Sequence, residues 1–70
     1  MMNEFELNFY EAGIKDANEA RAITLACRSK RYENLSRTLH VKIGDERGNA
    51  TKAYNDGVAY EINRQTMLEY

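Results

Sequence analysis

The segment D-A-N-E-A-R-A-I-T-L-A-C-R-S-K-R, residues 16–31, is the stretch on which the fold prediction depends, because its helical character is the strongest in the sequence. Asp16 is a suitable N-cap, and the carboxylate of Glu19, three residues on, can reach back to the cap amide. The three basic residues that close the segment suit the negative end of a helix dipole. The sequence therefore predicts a helix over residues 16–31.

This predicted helix has two different faces. Placed at 100° steps, Ile23 lies at the centre of a face of small side chains that includes Cys27, which suits close packing on a sheet. The opposite face carries Arg21, Leu25 and Arg28 at i, i+4 and i+7. Two interpretations of this outer stripe stay open: a solvated face with one stray leucine, or a contact surface.

The rest of the sequence favours strands. Phe5, Leu7 and Phe9 alternate with polar residues, and Asn55-Asp56-Gly57 is typical of a tight hairpin. The stretch 64–70 covers a sheet edge, covers the open end of the core, or frays. Strands are predicted at about residues 3–10, 37–43, 50–54 and 58–63.

These elements, in the order β-α-β-β-β, predict a single α+β domain over residues 1–70. A small antiparallel or mixed sheet would carry the one helix on one of its faces. Seventy residues make a small core, so stabilisation by a partner or by a second copy is expected to help.

Charge is unevenly distributed along a chain whose formal net charge is −1. Residues 1–19 hold five acids against one base, residues 20–42 hold six bases against one acid, and residues 43–70 hold five acids against three bases. The middle third is therefore a basic block. It either faces an anionic partner or is neutralised by the acidic strands beside it.

The residues that catalysis and metal binding require are sparse. His40 is the one histidine, and Cys27 is the one cysteine, interpreted as a small buried hydrophobe in a reducing cytoplasm. No metal-ligand spacing or glycine-rich phosphate loop occurs, and no apolar run is long enough to span a bilayer. The sequence predicts no enzyme activity, no cofactor, no metal and no membrane partner, which leaves binding.

Two kinds of macromolecular partner remain. A protein or ribonucleoprotein complex is favoured, because arginine and tyrosine are enriched at interface hot spots; a homodimer through an edge strand is a further option. Direct nucleic-acid binding is the alternative. Lysine and arginine side chains would contact the phosphate backbone, and a tyrosine ring would stack on a nucleobase. The predicted protein-binding residues are Arg21, Leu25, Arg28, Lys30, Arg31 and Tyr32, and the alternative nucleic-acid contacts are Arg28, Lys30, Arg31, Arg37, Lys42 and Tyr54.

Three segments together resemble the layout of small phage-encoded inhibitors, including some anti-CRISPR proteins: K-D-A-N-E-A-R-A-I (15–23), L-H-V-K-I-G (39–44) and A-Y-N-D-G (53–57). The resemblance implies a β-α-β-β-β protein that acts without catalysis, by occupying a binding surface of a larger host complex. It carries over no fixed functional residues. The resulting hypothesis is a cytoplasmic phage or mobile-element inhibitor of a host complex.

Overall fold

Three helices make up the secondary structure of the computed structural model, which describes residues 2–20 and 29–68. Helix α1 spans Glu4–Ala20, α2 spans Lys30–Thr38 and α3 spans Asp45–Leu68. The described residues contain no strand. The predicted α+β fold with its small sheet is therefore wrong.

Helices α1 and α3 lie side by side and run in the same direction. Near their first turns Phe5 and Asn49 line one shallow depression, and towards their other ends the Asn18 amide donates a hydrogen bond of 3.3 Å to Glu61. Helix α2 lies antiparallel to this pair, on one side of it. Arg31, near the start of α2, bonds to Asp16 near the end of α1, whereas Thr38, at the end of α2, lines a groove together with Asn8 in the first half of α1.

Two glycines set the distance between α1 and α3. A Cβ on Gly13 would collide with the carbonyl oxygen of Tyr54, and a Cβ on Gly57 would collide with the carbonyl oxygen of Tyr10. Each glycine thus packs on the helix turn that precedes the other glycine. Backbone can approach backbone this closely only where both side chains are absent.

The core lies between the three helices and is largely aromatic. Phe9, Tyr32 and Tyr54 are almost fully buried, with ring centroids 5.3 Å apart for Phe9 and Tyr32 and 5.5 Å apart for Tyr32 and Tyr54. Small residues fill the rest of the α1–α3 contact. Four buried alanines are Ala12, Ala17, Ala50 and Ala53.

Side chains and turns define the helix ends. The Asn3 side chain accepts a hydrogen bond of 2.8 Å from the Glu6 amide, and Ser29 caps α2 by accepting from the Tyr32 amide at 3.1 Å. After α2, His40 takes a left-handed conformation with φ 52°, and the Val41 amide reaches back to the Ser36 carbonyl at 3.0 Å. This is a Schellman ending with histidine where glycine is usual.

The predicted first strand, residues 3–10, lies in α1. Phe5 and Phe9 are spaced for one face of a helix as well as for one face of a strand, and the helical series continues through buried Ala12. Leu7, which alternation places in the core, is 44% exposed. The cap at Asn3 and the contact with α3 favour the helix.

The other three strand predictions are also wrong. Residues 37–43 hold the last turn of α2 and the connection that follows it, whereas 50–54 and 58–63 both lie within α3. The segment Asn55-Asp56-Gly57 is helical because Gly57 is needed against α1, not in a turn. Residues 64–68 of the ambiguous tail continue α3.

The predicted helix over residues 16–31 is wrong in its bounds. Asp16 lies in the last part of α1 and caps nothing, and Ser29 starts a separate helix. Residues 21–28, which include the predicted buried Cys27, lie outside the described residues.

Candidate functional site

A polar network at the Asp16 carboxylate joins the three helices. Its Oδ2 accepts hydrogen bonds of 2.5 Å from Ser29 Oγ and from the Tyr54 hydroxyl, and its Oδ1 accepts one of 2.6 Å from Arg31 Nη1. The Asp16 side chain is 17% exposed. All three donors are therefore used to hold α2 and α3 onto α1.

The charged groups of this network, two carboxylates and one guanidinium, contact one another. Arg31 Nη2 lies 2.7 Å from Glu19 Oε2, and this hydrogen bond, with the one from Arg31 to Asp16, raises the pKa of Arg31. Burial, and then the hydrogen bond to the Asp16 carboxylate, raise the pKa of Tyr54 to about 12. Each charged group of the network is thus engaged in a contact that holds the helices together.

Tyr32 and Tyr54 are both core residues. Tyr32 is 1% exposed, its hydroxyl lies 2.7 Å from Thr51 Oγ1, and the guanidinium carbon of Arg47 lies 5.5 Å from its ring centroid. Tyr54 is fully buried. Neither ring is available to a protein partner or to a nucleic-acid base.

Of the six residues predicted to bind a protein, the three that the structure describes do not share one exposed surface. Lys30 is exposed, Arg31 is held by two carboxylates, and Tyr32 is buried. The other three, Arg21, Leu25 and Arg28, lie outside the described residues.

The alternative nucleic-acid set is also divided. Arg37 and Lys42 are exposed, and Lys30 lies on the same side of α2 as Arg37, seven residues earlier. These three cations could contact phosphates. The stacking residue of that hypothesis, Tyr54, cannot take part because it is buried.

An open groove of about 870 Å³ runs between α1 and α2. The Asp16 network forms one end of it, and charged or amide side chains such as Lys15 and Asn34 line most of the rest. Ligand pockets are usually enclosed and mainly apolar. The groove does not resemble such a pocket.

A buried carboxylate that the sequence did not reveal lies on α3. Glu61 is 2% exposed and accepts a hydrogen bond of 2.6 Å from Arg64 Nη2. The hydrogen bond from Arg64 holds the pKa of Glu61 below its usual value, against the effect of burial, and Asn18 and Gln65 also donate to it. The spacing of Ala50, Ala53 and Gly57 would have placed position 61 on the inner face of a helix.

One flank of the α1–α3 pair is apolar and exposed; we call it the tyrosine face and define it as Leu7, Tyr10, Ile14 and Tyr60. The ring centroids of Tyr10 and Tyr60 are 6.0 Å apart. Tyr60 is 51% and Leu7 44% exposed, and the other two are half-buried.

The tyrosine face points away from α2. On α1, the residues that contact α2, such as Phe9 and Asp16, lie on a different stripe from Leu7, Tyr10 and Ile14. The two stripes are centred roughly 160° apart around the helix. No described helix covers the tyrosine face.

Exposed polar side chains surround this flank. At 100° steps the outer sides of α1 and α3 next to the tyrosine face carry four exposed carboxylates against two exposed bases, Lys15 and Lys52. Arg64, also on α3, is already paired with Glu61. The four carboxylates are those of Glu4, Glu11, Asp45 and Asp56.

Two kinds of feature are absent from residues 2–20 and 29–68. No group of three or more histidine, cysteine, aspartate or glutamate side chains is placed to hold a metal ion. None of the described helices combines the length and the apolar character needed to cross a bilayer.

No protein-family model, curated protein or solved structure matches this chain. The β-α-β-β-β layout, on which the resemblance to phage-encoded inhibitors depends, is replaced by helices in the described residues. That resemblance and the phage origin it implied therefore have no support in the structure.

Proposed function

We propose that this protein is a non-enzymatic binding protein whose tyrosine face contacts a protein partner. The observation that carries the proposal is the exposed pair Tyr10–Tyr60 beside Leu7, on a flank that no described helix covers. Tyrosine gives a large contact area with little loss of side-chain entropy, and it is enriched among the residues that dominate binding energy.

The proposal assigns the protein a role that requires occupation of a surface and no chemistry. Two groups could act as acid or base in the interior: Asp16 is held in an ion pair that joins α1 to α2, and Glu61 is held in an ion pair with Arg64 within α3. A location in the cytoplasm belongs to the same proposal and is supported by the single cysteine in 70 residues.

A capture experiment tests this function. Immobilised wild-type protein is compared with the double variant Leu7→Asn/Tyr60→Asn and with Arg37→Glu, a control on the far side of the molecule, in lysate with and without nuclease treatment. We expect wild type and Arg37→Glu to retain the same discrete protein, and the double variant to lose it. Because all three positions are exposed, melting temperatures should stay within a few degrees.

Two results would contradict the proposal. If the double variant captures the same protein, the tyrosine face is not the contact surface. If capture depends on Arg37 and disappears after nuclease treatment, the exposed cations Lys30, Arg37 and Lys42 bind nucleic acid instead, with an affinity that falls steeply with salt concentration.

A further inference from the structure

The tyrosine face combines an apolar centre with a charged surround of one predominant sign. Its apolar residues on α1 are spaced i, i+3 and i+7, so they form a stripe along about two turns beside the ring of Tyr60. Met67, seven residues after Tyr60 and 76% exposed, extends this stripe along α3. The surface is elongated parallel to the two helices.

An elongated apolar stripe between two parallel helices suits a third helix. Helix α2 already occupies the opposite side of the α1–α3 pair in this way, with Tyr32 inserted between Phe9 and Tyr54. A partner helix on the tyrosine face would present apolar residues at i, i+3 or i+4, and i+7.

The charges around the tyrosine face favour a partner helix whose net charge is positive. Four exposed carboxylates against Lys15 and Lys52 give this flank a net charge of −2 among the described residues, whereas exposed side chains of α2 include the cations Lys30 and Arg37. Like charges across an interface are costly and opposite charges are favourable. A second copy that docked through the same face would set carboxylate against carboxylate.

We propose that the tyrosine face binds a cationic amphipathic helix, with the apolar side of that helix on Tyr10 and Tyr60 and its lysine or arginine residues beside Glu11 and Asp56. This inference rests on the proposed function and names the chemical class of its partner.

Two synthetic peptides of 18 residues test the inference. Both place leucine at i, i+3, i+4 and i+7; one carries lysine at the remaining positions and the other carries glutamate. Titrated against the full chain and followed by fluorescence anisotropy, the leucine–lysine peptide should bind about tenfold or more tightly than the leucine–glutamate peptide. Equal affinities would overturn the inference.

Variants separate docking at this face from general attraction between opposite charges. Tyr60→Ala should weaken the leucine–lysine peptide by about tenfold, as for a central tyrosine anchor. Asp56→Lys should reduce the preference between the peptides, whereas Glu33→Lys, the same change in net charge on α2, should leave it unchanged. If Glu33→Lys acts as strongly as Asp56→Lys, the binding is non-specific and the inference fails.

The two proposals can fail separately. If Leu7→Asn/Tyr60→Asn abolishes capture of a protein partner while neither peptide binds, the partner is not a cationic helix and the proposed function stands. The opposite outcome is also possible to distinguish. If the leucine–lysine peptide binds more tightly as expected, but the double variant still captures the protein partner, the tyrosine face binds a cationic helix and the captured protein contacts another surface.

Discussion

At the scale of single residues, Asp16 shows how one carboxylate can hold a small fold together. Its three donors, Ser29, Arg31 and Tyr54, lie 13, 15 and 38 positions away in the sequence. A hydrogen bond to an ionised acceptor is stronger than a neutral one, and leaving the donors unsatisfied is costly. The carboxylate thus contributes to the stability of the fold.

The substitution Asp16→Asn tests this role. An amide cannot pair ionically with Arg31 and cannot accept from all three donors, so we expect the free energy of unfolding in urea to fall by about 1–3 kcal/mol. Glu19→Gln is the control: Glu19 also contacts Arg31 but is 61% exposed, so its loss should cost about 0.5 kcal/mol or less. Equal effects of the two substitutions would contradict the assigned role.

Tyr54 makes stability depend on alkaline pH. Its pKa is raised to about 12 in the folded protein, from 10.0, so the folded state keeps a proton that the unfolded state loses. The resulting stabilisation is complete below pH 10 and is lost as pH rises from about 10 to about 12. Tyr54→Phe lacks this ionisation, so its stability in urea should decline less over that interval; parallel curves for the two proteins would refute the assignment.

At the scale of elements, the α1–α3 contact explains why two glycines lie inside helices. In an exposed helix position glycine is unfavourable relative to alanine by about 0.5–1 kcal/mol. Gly13 and Gly57 nevertheless lie inside helices, because a Cβ at either position would collide with the backbone of the opposing helix. Gly48 differs, since nothing lies within 4 Å of a Cβ placed on it.

Alanine substitutions at these three positions should therefore have opposite signs. Gly13→Ala and Gly57→Ala force the helices apart and should destabilise the protein by about 1–3 kcal/mol. Gly48→Ala, in the first turns of α3 with open space around it, should stabilise it by about 0.5–1 kcal/mol. Thermal unfolding followed by circular dichroism at 222 nm measures all three, and a stabilising Gly13→Ala would contradict the close approach.

The same glycines show why the secondary structure was predicted wrongly from the sequence. Asn55-Asp56-Gly57 favours a turn on local grounds, and only contact with α1 makes glycine useful in the middle of a helix. Likewise Phe5, Leu7 and Phe9 satisfy the strand period locally, and the helical period appears only when Ala12 and Ala17 are included. Long-range packing decided both segments.

At the scale of the whole molecule, the sequence located a basic block but not the surface that we propose for binding. The unusual richness in tyrosine was visible, yet which rings are buried depends on how three helices meet: Tyr32 and Tyr54 fill the core, and Tyr60 is exposed. A basic block can be recognised from neighbouring residues in the sequence. The tyrosine face cannot, because it combines residues of α1 and α3 that lie more than 40 positions apart.

The parallel arrangement of α1 and α3 also has a kinetic consequence. Neighbouring helices of a small bundle usually meet through short turns, but here Asp16 meets Tyr54 and Asn18 meets Glu61 across separations of 38 and 43 residues. Closing a loop of that length costs about 3 kcal/mol of chain entropy before the main interface forms. Folding should therefore be slower than for most helical proteins of this size, with a rate set by how often the two ends of the chain find each other.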